Sequence, residues 1–166
     1  QQVCALIPIW DKLTDLGTSL IPQDLARSAR DRILHYFQKY PCTIISHREL
    51  MVVSGISEWA RRVRELRKEF GWPIVSGIVA KQMQEKGDVP GNDGFPDCSG
   101  MGPNDYIHFD PNQDREAAFR GRLANDIRKS SGGAKAHILE FFRSNVGHPI
   151  TGEELRYVAN DATEWA

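Results

Sequence analysis

The sequence predicts a mainly α chain with small β-hairpins, an α+β arrangement of two tandem winged helix-turn-helix units, the second of them truncated. Three observations predict it. Residues 46–70 read as a helix, a tight turn and a second helix. Short β-branched runs flank that pair. Residues 28–60 recur, nearly position by position, at 133–166.

A first region, residues 1–26, carries Val3, Leu6, Ile7, Trp10, Leu13 and Leu16 at helical spacing. It reads as a bracing helix that Pro8 either starts or kinks, since proline lacks the amide an interior turn needs. The first winged-helix domain is expected over 27–112. Its first helix spans 24–39, with Leu25, Ala29, Ile33, Leu34 and Phe37 toward one side and Arg27, Arg30 and Arg32 mainly on the other. Pro41 stops it, and residues 42–45 form a short strand. Ser46 and Glu49 have the spacing of a capping box, in which each side chain bonds the other's orphan backbone amide. Leu50 and Val53 give that helix its apolar face, and Gly55 ends it.

Ser57 is placed to cap the next helix, 57–70. Trp59, Val63, Leu66 and Phe70 form a single stripe on the 3.6-residue period. Residues 72–79 read as a strand. Residues 80–104, with five Gly and three Pro, read as a long acidic wing loop. Tyr106 to Phe109 then pair back as a second strand. A linker helix is expected over 113–131, with Phe119, Leu123 and Ile127 spaced by four.

Residues 132–166 begin a second winged-helix domain. Ile33, Leu34 and Phe37 match Ile138, Leu139 and Phe142; Ile45, Ser46, Glu49, Leu50 and Val53 match Ile150, Thr151, Glu154, Leu155 and Val158. After one inserted residue, Glu58-Trp59-Ala60 matches Glu164-Trp165-Ala166. Such repeats identify duplicated folding units. The second copy has no counterpart of residues 61–79, so the sequence is expected to be part of a longer protein.

The net charge of −1 argues against a uniformly basic nucleic-acid binder. Residues 27–72, however, hold ten Lys/Arg against five Asp/Glu, and residues 73–118 hold three against eight. Positive charge is thus concentrated on the helical segment, where phosphate binding needs it. Cys4, Cys42 and Cys98 are scattered without metal-ligand spacing, which suits reduced thiols in the cytoplasm. There is no membrane-spanning run and no nucleophile–base constellation.

The second helix of such a pair reads bases with its first turn and tracks phosphates beyond it. Ser57, Glu58, Arg61 and Arg62 are therefore the base-reading candidates. Arg27, Arg30, Arg48, Arg64, Arg67 and Lys68 are the phosphate candidates. The alternation of Tyr106 and His108 with Ile107 and Phe109 leaves one pair facing outward, so Tyr106 and His108 are the wing candidates. Trp59 and Trp165 open the apolar stripes and belong to cores. His108, Asp110 and Asn112 lack the following His or Asn that a catalytic ββα-metal motif needs, so neither a catalytic centre nor a metal site is expected in this sequence.

The stretches ELMVVSGISEWARRVRELRKEFGWPI (49–74), GGAKAHILEFF (132–142) and EELRYVANDATEWA (153–166) are similar to tandem winged-helix modules at the N-terminus of bacterial HNH restriction endonucleases, including modification-dependent ones. The resemblance covers about 27–80 and 113–166. It implies specific double-stranded DNA binding, extending to modified bases, as the target-recognition part of such an enzyme. It also implies a divalent metal held by a nuclease domain outside this sequence, and leaves room for a homodimer formed through regions outside it. The residues alone leave two alternatives open: a stand-alone transcription regulator, and a protein-interaction winged helix, which the acidic loop favours.

Overall fold

The computed structural model describes residues 4–88 and 95–160. The expected Glu164-Trp165-Ala166 entry to a second recognition helix lies outside the described residues, as do Val3 and the centre of the expected loop. The chain forms two compact units, the first from residues 1–66 and 72–113, the second from 67–71 and 114–166.

The first unit opens with a single 3-10 turn, Cys4–Leu6, and α1, Ile7–Ser19. Pro8 lies in the first turn of α1, where its missing amide costs nothing, so it starts the helix and does not kink it. α2 spans Ala29–Lys39 and α3 spans His47–Ser54. Both begin in capping boxes, Ser28 with Asp31 and Ser46 with Glu49. α1 packs on α3 where Gly17 lets the backbones close; a Cβ there would come within 2.4 Å of the Val52 carbonyl oxygen. The Tyr36 hydroxyl ties α2 to α3 by donating to Glu49 at 3.0 Å. Burial, the hydrogen bond and the Glu49 charge push that phenol up to about 12.

Gly55, at φ 69°, turns the chain out of α3 through the left-handed region, which a β-carbon disfavours. α4 follows as Trp59–Lys68, shorter at both ends than the expected 57–70. Ile33 and Phe37 of α2, Leu50 of α3, Val63 and Leu66 of α4, and Ile45 and Ile74 form the main core. At about 25 cal/mol per Å² of apolar surface, side chains of this size contribute roughly 2 kcal/mol each.

β1 (Ile74–Ser76) and β2 (Tyr106–His108) are antiparallel, with Ile74 opposite His108 and Ser76 opposite Tyr106. The strand expected at 42–45 is reduced to one bridge, Ile45 to Tyr106. Cys42, at φ 54°, takes the chain out of the extended region before a longer ladder can form.

The expected strand over 72–79 and loop over 80–104 need correction. Only Ile74–Ser76 is extended, and Gly77–Lys86 is a helix, α5. The chain leaves the sheet at Gly77, whose amide donates to the Asp105 carbonyl at 2.8 Å. A Cβ on Gly77 would lie 2.1 Å from the Gly102 carbonyl oxygen. α5 ends at Gly87, φ 71°. Ala80 of α5 joins Cys98, Met101 and Ile107 in a second small core on the outer face of the hairpin, with Ile44, Val75 and Phe95 around it.

The second unit contains α6 (Arg115–Lys129), α7 (Ala134–Ser144) and α8 (Gly152–Val158). The expected linker helix is α6, whose Ala124 and Ile127 share a core with Phe141 and Val158. α7 and α8 begin 105 residues after α2 and α3, and the Thr151–Glu154 capping box repeats Ser46–Glu49. Burial does not repeat in register. Ile33 and Phe37 are buried, whereas their counterparts Ile138 and Phe142 are half-buried and exposed; His137 and Phe141 go inside. α7 packs against α6, and no strand occurs among the described residues of this unit, so its buried side is rotated by one position.

Candidate nucleic-acid interface

α4 separates two chemistries. Val63 and Leu66 are buried, and Trp59 packs edge-on against Tyr106 with ring centroids 6.1 Å apart. Ser57, Ala60, Arg61 and Arg64 are exposed at i, i+3, i+4 and i+7, a single solvent face. Ser57 and Glu58 lie in the turn entering the helix, and the Glu58 carbonyl accepts from the Arg61 and Arg62 amides at 3.1 and 3.4 Å.

The two leading arginines differ. Glu65 accepts from Arg61 Nε at 3.3 Å and, through both oxygens, from Arg62 Nη1 at 2.7 Å. The Arg61 side chain is 65% exposed and that of Arg62 is 33% exposed. An exposed ion pair is worth at most about 1 kcal/mol, so Arg61 is held lightly and can exchange Glu65 for another acceptor. Arg62 lies down beside Ser28, Ala29, Arg30 and Ile56 and lines a shallow groove with them. The groove therefore collects two guanidinium groups at the N-terminal, positive end of α2. Sequence reasoning missed this grouping, although the S-x-x-D spacing at Ser28 marks the helix start. Asp31 tempers it, 3.9 Å from Arg30 Nε.

Of the remaining phosphate candidates, Arg27, Arg48 and Arg64 are exposed and Arg67 is half-buried. Lys68 is engaged within the second unit, its Nζ 4.8 Å from the Tyr157 ring centroid, over which Arg128 also lies at 4.5 Å. Arg32, expected to face mainly outward, turns inward and donates to the α3 carbonyls of Val53 and Ser54.

The wing assignment needs correction. His108 is buried, with Trp72 edge-on at 5.9 Å and Phe37 at 6.3 Å between centroids. Tyr106 is half-buried against Trp59. Alternation along β2 turns Tyr106 and His108 outward only if one face of the strand is open. The main core covers one face, and the core that α5 helps to build covers the other, taking Ile107. Burial lowers the His108 imidazole below its usual range, against smaller opposing effects of the Phe37 backbone and the Asp110 charge. Asp110 and Asn112 are spent on each other, the carboxylate accepting from the Asn112 backbone amide at 2.8 Å and its side-chain amide at 2.9 Å. Among the described residues no group of three His, Cys, Asp or Glu could hold a metal ion. No described helix is long and apolar enough to cross a membrane.

A capped helix, a glycine-terminated turn and a second helix with an arginine-bearing outer face, braced by a covered hairpin, define the chain's class: a mainly helical α+β protein with a small two-stranded antiparallel sheet among its described residues. The chain belongs to the KpnI N-terminal domain family, which it matches over residues 30–107 and 135–166. KpnI is a restriction endonuclease, so the expected kinship with restriction-enzyme N-terminal regions holds at that level. The first matched segment takes in nearly all of the first copy of the repeat and runs on into β2, and the second lies within the second copy; α1 and α6 lie wholly outside them. No curated protein and no solved structure matches the chain.

Proposed function

We propose that this chain binds duplex DNA in the major groove as a target-recognition region of a restriction endonuclease, through the outer face of α4. The observation that carries the reading is the solvent face Ser57-Ala60-Arg61-Arg64 on a helix whose other side is locked into the core. A recognition helix needs that combination: a fixed backbone, and exposed donors on the side presented to the groove, as Arg61 is once it exchanges Glu65 for a base. Arg61 is the principal base reader, because an extended guanidinium pairs bidentately with guanine. Ser57 and Glu58 stand at the tip of the same helix. Arg27, Arg48 and Arg64 contact phosphates, and Arg62 with Arg30 forms a phosphate clamp beside the start of α2. Membership of the KpnI N-terminal domain family supports the DNA reading. The tandem winged-helix description, which rests on the residue pattern and its repeat, a cytoplasmic setting, which rests on the scattered cysteines, and selection for modified bases, which rests on the resemblance alone, belong to the same proposal.

The test is fluorescence anisotropy of the chain with labelled duplexes, plain and cytosine-modified, over a range of salt. Affinity should fall steeply with added salt, log K changing by roughly −0.9 per phosphate contact for each unit of log salt. Arg64→Ala should weaken binding to all duplexes alike, and Arg61→Ala should also flatten the preference among sequences by about 1–3 kcal/mol. Binding that ignores both substitutions removes α4 as the contact.

A further inference from the structure

α1 has three sides. Gly17 is buried against α3, with Thr14 and Thr18 half-buried on the same flank. Asp11, Lys12, Asp15 and Ser19 occupy the solvent side. Between them runs a line that neither accounts for: Leu6, Ile9, Leu13, Leu16 and Leu20. Their spacings are three, four, three and four residues, the interval of a coiled-coil seam, and on a 3.6-residue helix they share one narrow arc. A surface helix braced on a domain should bury such a line. Instead the five residues are 60, 63, 44, 62 and 62% exposed.

We infer that this seam is a self-association surface, on which α1 of a second copy of the chain packs. Two properties of the seam select a second copy. The first is the interval itself, since a 3–4 line presents knobs and holes that fit a helix of the same interval, and α1 supplies both members of the pair. A two-fold pairing uses one patch twice, as isologous dimers do. The second is size. With Trp10, 44% exposed on its flank, the seam offers roughly 600 Å² of exposed surface per copy, the larger part of the ~800 Å² per partner of a standard stable interface. A lone monomer seldom leaves that much contiguous apolar surface in water. The seam lies within the first unit, and all of α1 lies outside the segments matching the KpnI N-terminal domain family, so the surface is an addition to the matched part.

Sedimentation equilibrium of the chain across a wide concentration range tests this. The parent should pass from its 18.8 kDa monomer mass to twice that value. Leu13→Glu with Leu16→Glu should shift the midpoint at least tenfold toward higher concentration. Leu20→Lys, on the last residue of the seam, should shift it in the same direction with less risk to the helix. Asp15→Lys, on the solvent side, should leave it unchanged. Far-UV circular dichroism establishes that each variant keeps its helices. A parent that stays monomeric throughout overturns the proposal, as does a folded Leu20→Lys variant that dimerises like the parent. The DNA assay is independent of both results.

Discussion

Arg32 reaches from the first turn of α2 to the end of α3 and donates to the carbonyl oxygen of Ser54, with a second hydrogen bond from Nε to the Val53 carbonyl at 3.1 Å. The last carbonyls of a helix have no partners within it and carry its negative end, so a half-buried guanidinium answers both needs. This contact fixes the approach of α2 to α3 immediately before the Gly55 turn, and so the direction in which α4 departs.

Arg32→Ala should therefore destabilise the first unit by about 2 kcal/mol, the scale of charge-assisted hydrogen bonds whose partners are left unmet. Urea unfolding followed by tryptophan fluorescence reads the loss. Arg32→Lys should restore only part of it, because one ammonium cannot reproduce the planar fork. Full recovery with lysine would reduce the contact to simple charge.

The paired capping boxes give a comparison within one chain. Ser46→Ala should cost about 1 kcal/mol in the first unit, and Thr151→Ala a similar amount in the second. Amide hydrogen exchange distinguishes them. Ser46→Ala should speed exchange in α3 and leave α8 unaffected, and Thr151→Ala should do the reverse. Loss of protection in both helices from either substitution would mean that the two units unfold as one.

His108 makes stability pH-dependent. Burial lowers its pKa in the folded chain below the ordinary value of 6.5. Between the folded and unfolded values the unfolded chain binds more protons, so stability rises with pH across that window. The contribution is complete above about pH 6.5 and is lost as pH falls toward the depressed value. The urea midpoint should accordingly decline on acidification below pH 6.5, and His108→Leu should flatten that decline. Glu154 acts at lower pH: burial raises it, but bonds from Thr151 and Arg120 outweigh that effect and lower its pKa overall. Its contribution should be lost only below the ordinary carboxylate range.

The parts that were legible in the sequence are those written in local chemistry. Ser46-x-x-Glu49 and Gly55 announce α3, and the stripe of Trp59, Val63 and Leu66 announces α4 with its buried side correctly assigned. The copy at 133–166 announces α7 and α8. α5 was not legible because it starts at a glycine and lies among charged and amide side chains, with Ala80 its main inward anchor. That omission propagated: without α5 the outer face of β2 looks open, and His108 then looks like a wing residue. The setting of Arg62 was not legible for another reason: the groove it shares with Arg30 depends on where α2 crosses the turn, which no local pattern encodes.

Asp105 closes the excursion between the two strands. Its carbonyl receives the Gly77 amide at 2.8 Å, and its carboxylate receives the Gly102 amide at 2.7 Å and lies 3.6 Å from His47 Nδ1. Departure and return are thereby clasped at one point beside the sheet. Because the entropy of closing a loop grows only with the logarithm of its length, residues added after Gly87, between the Ala80 and Cys98–Met101 parts of the second core, should have little effect on strand pairing. The hairpin is thus a grafting port, where foreign peptide inserted after Gly87 should be displayed without disturbing the arginine face of α4.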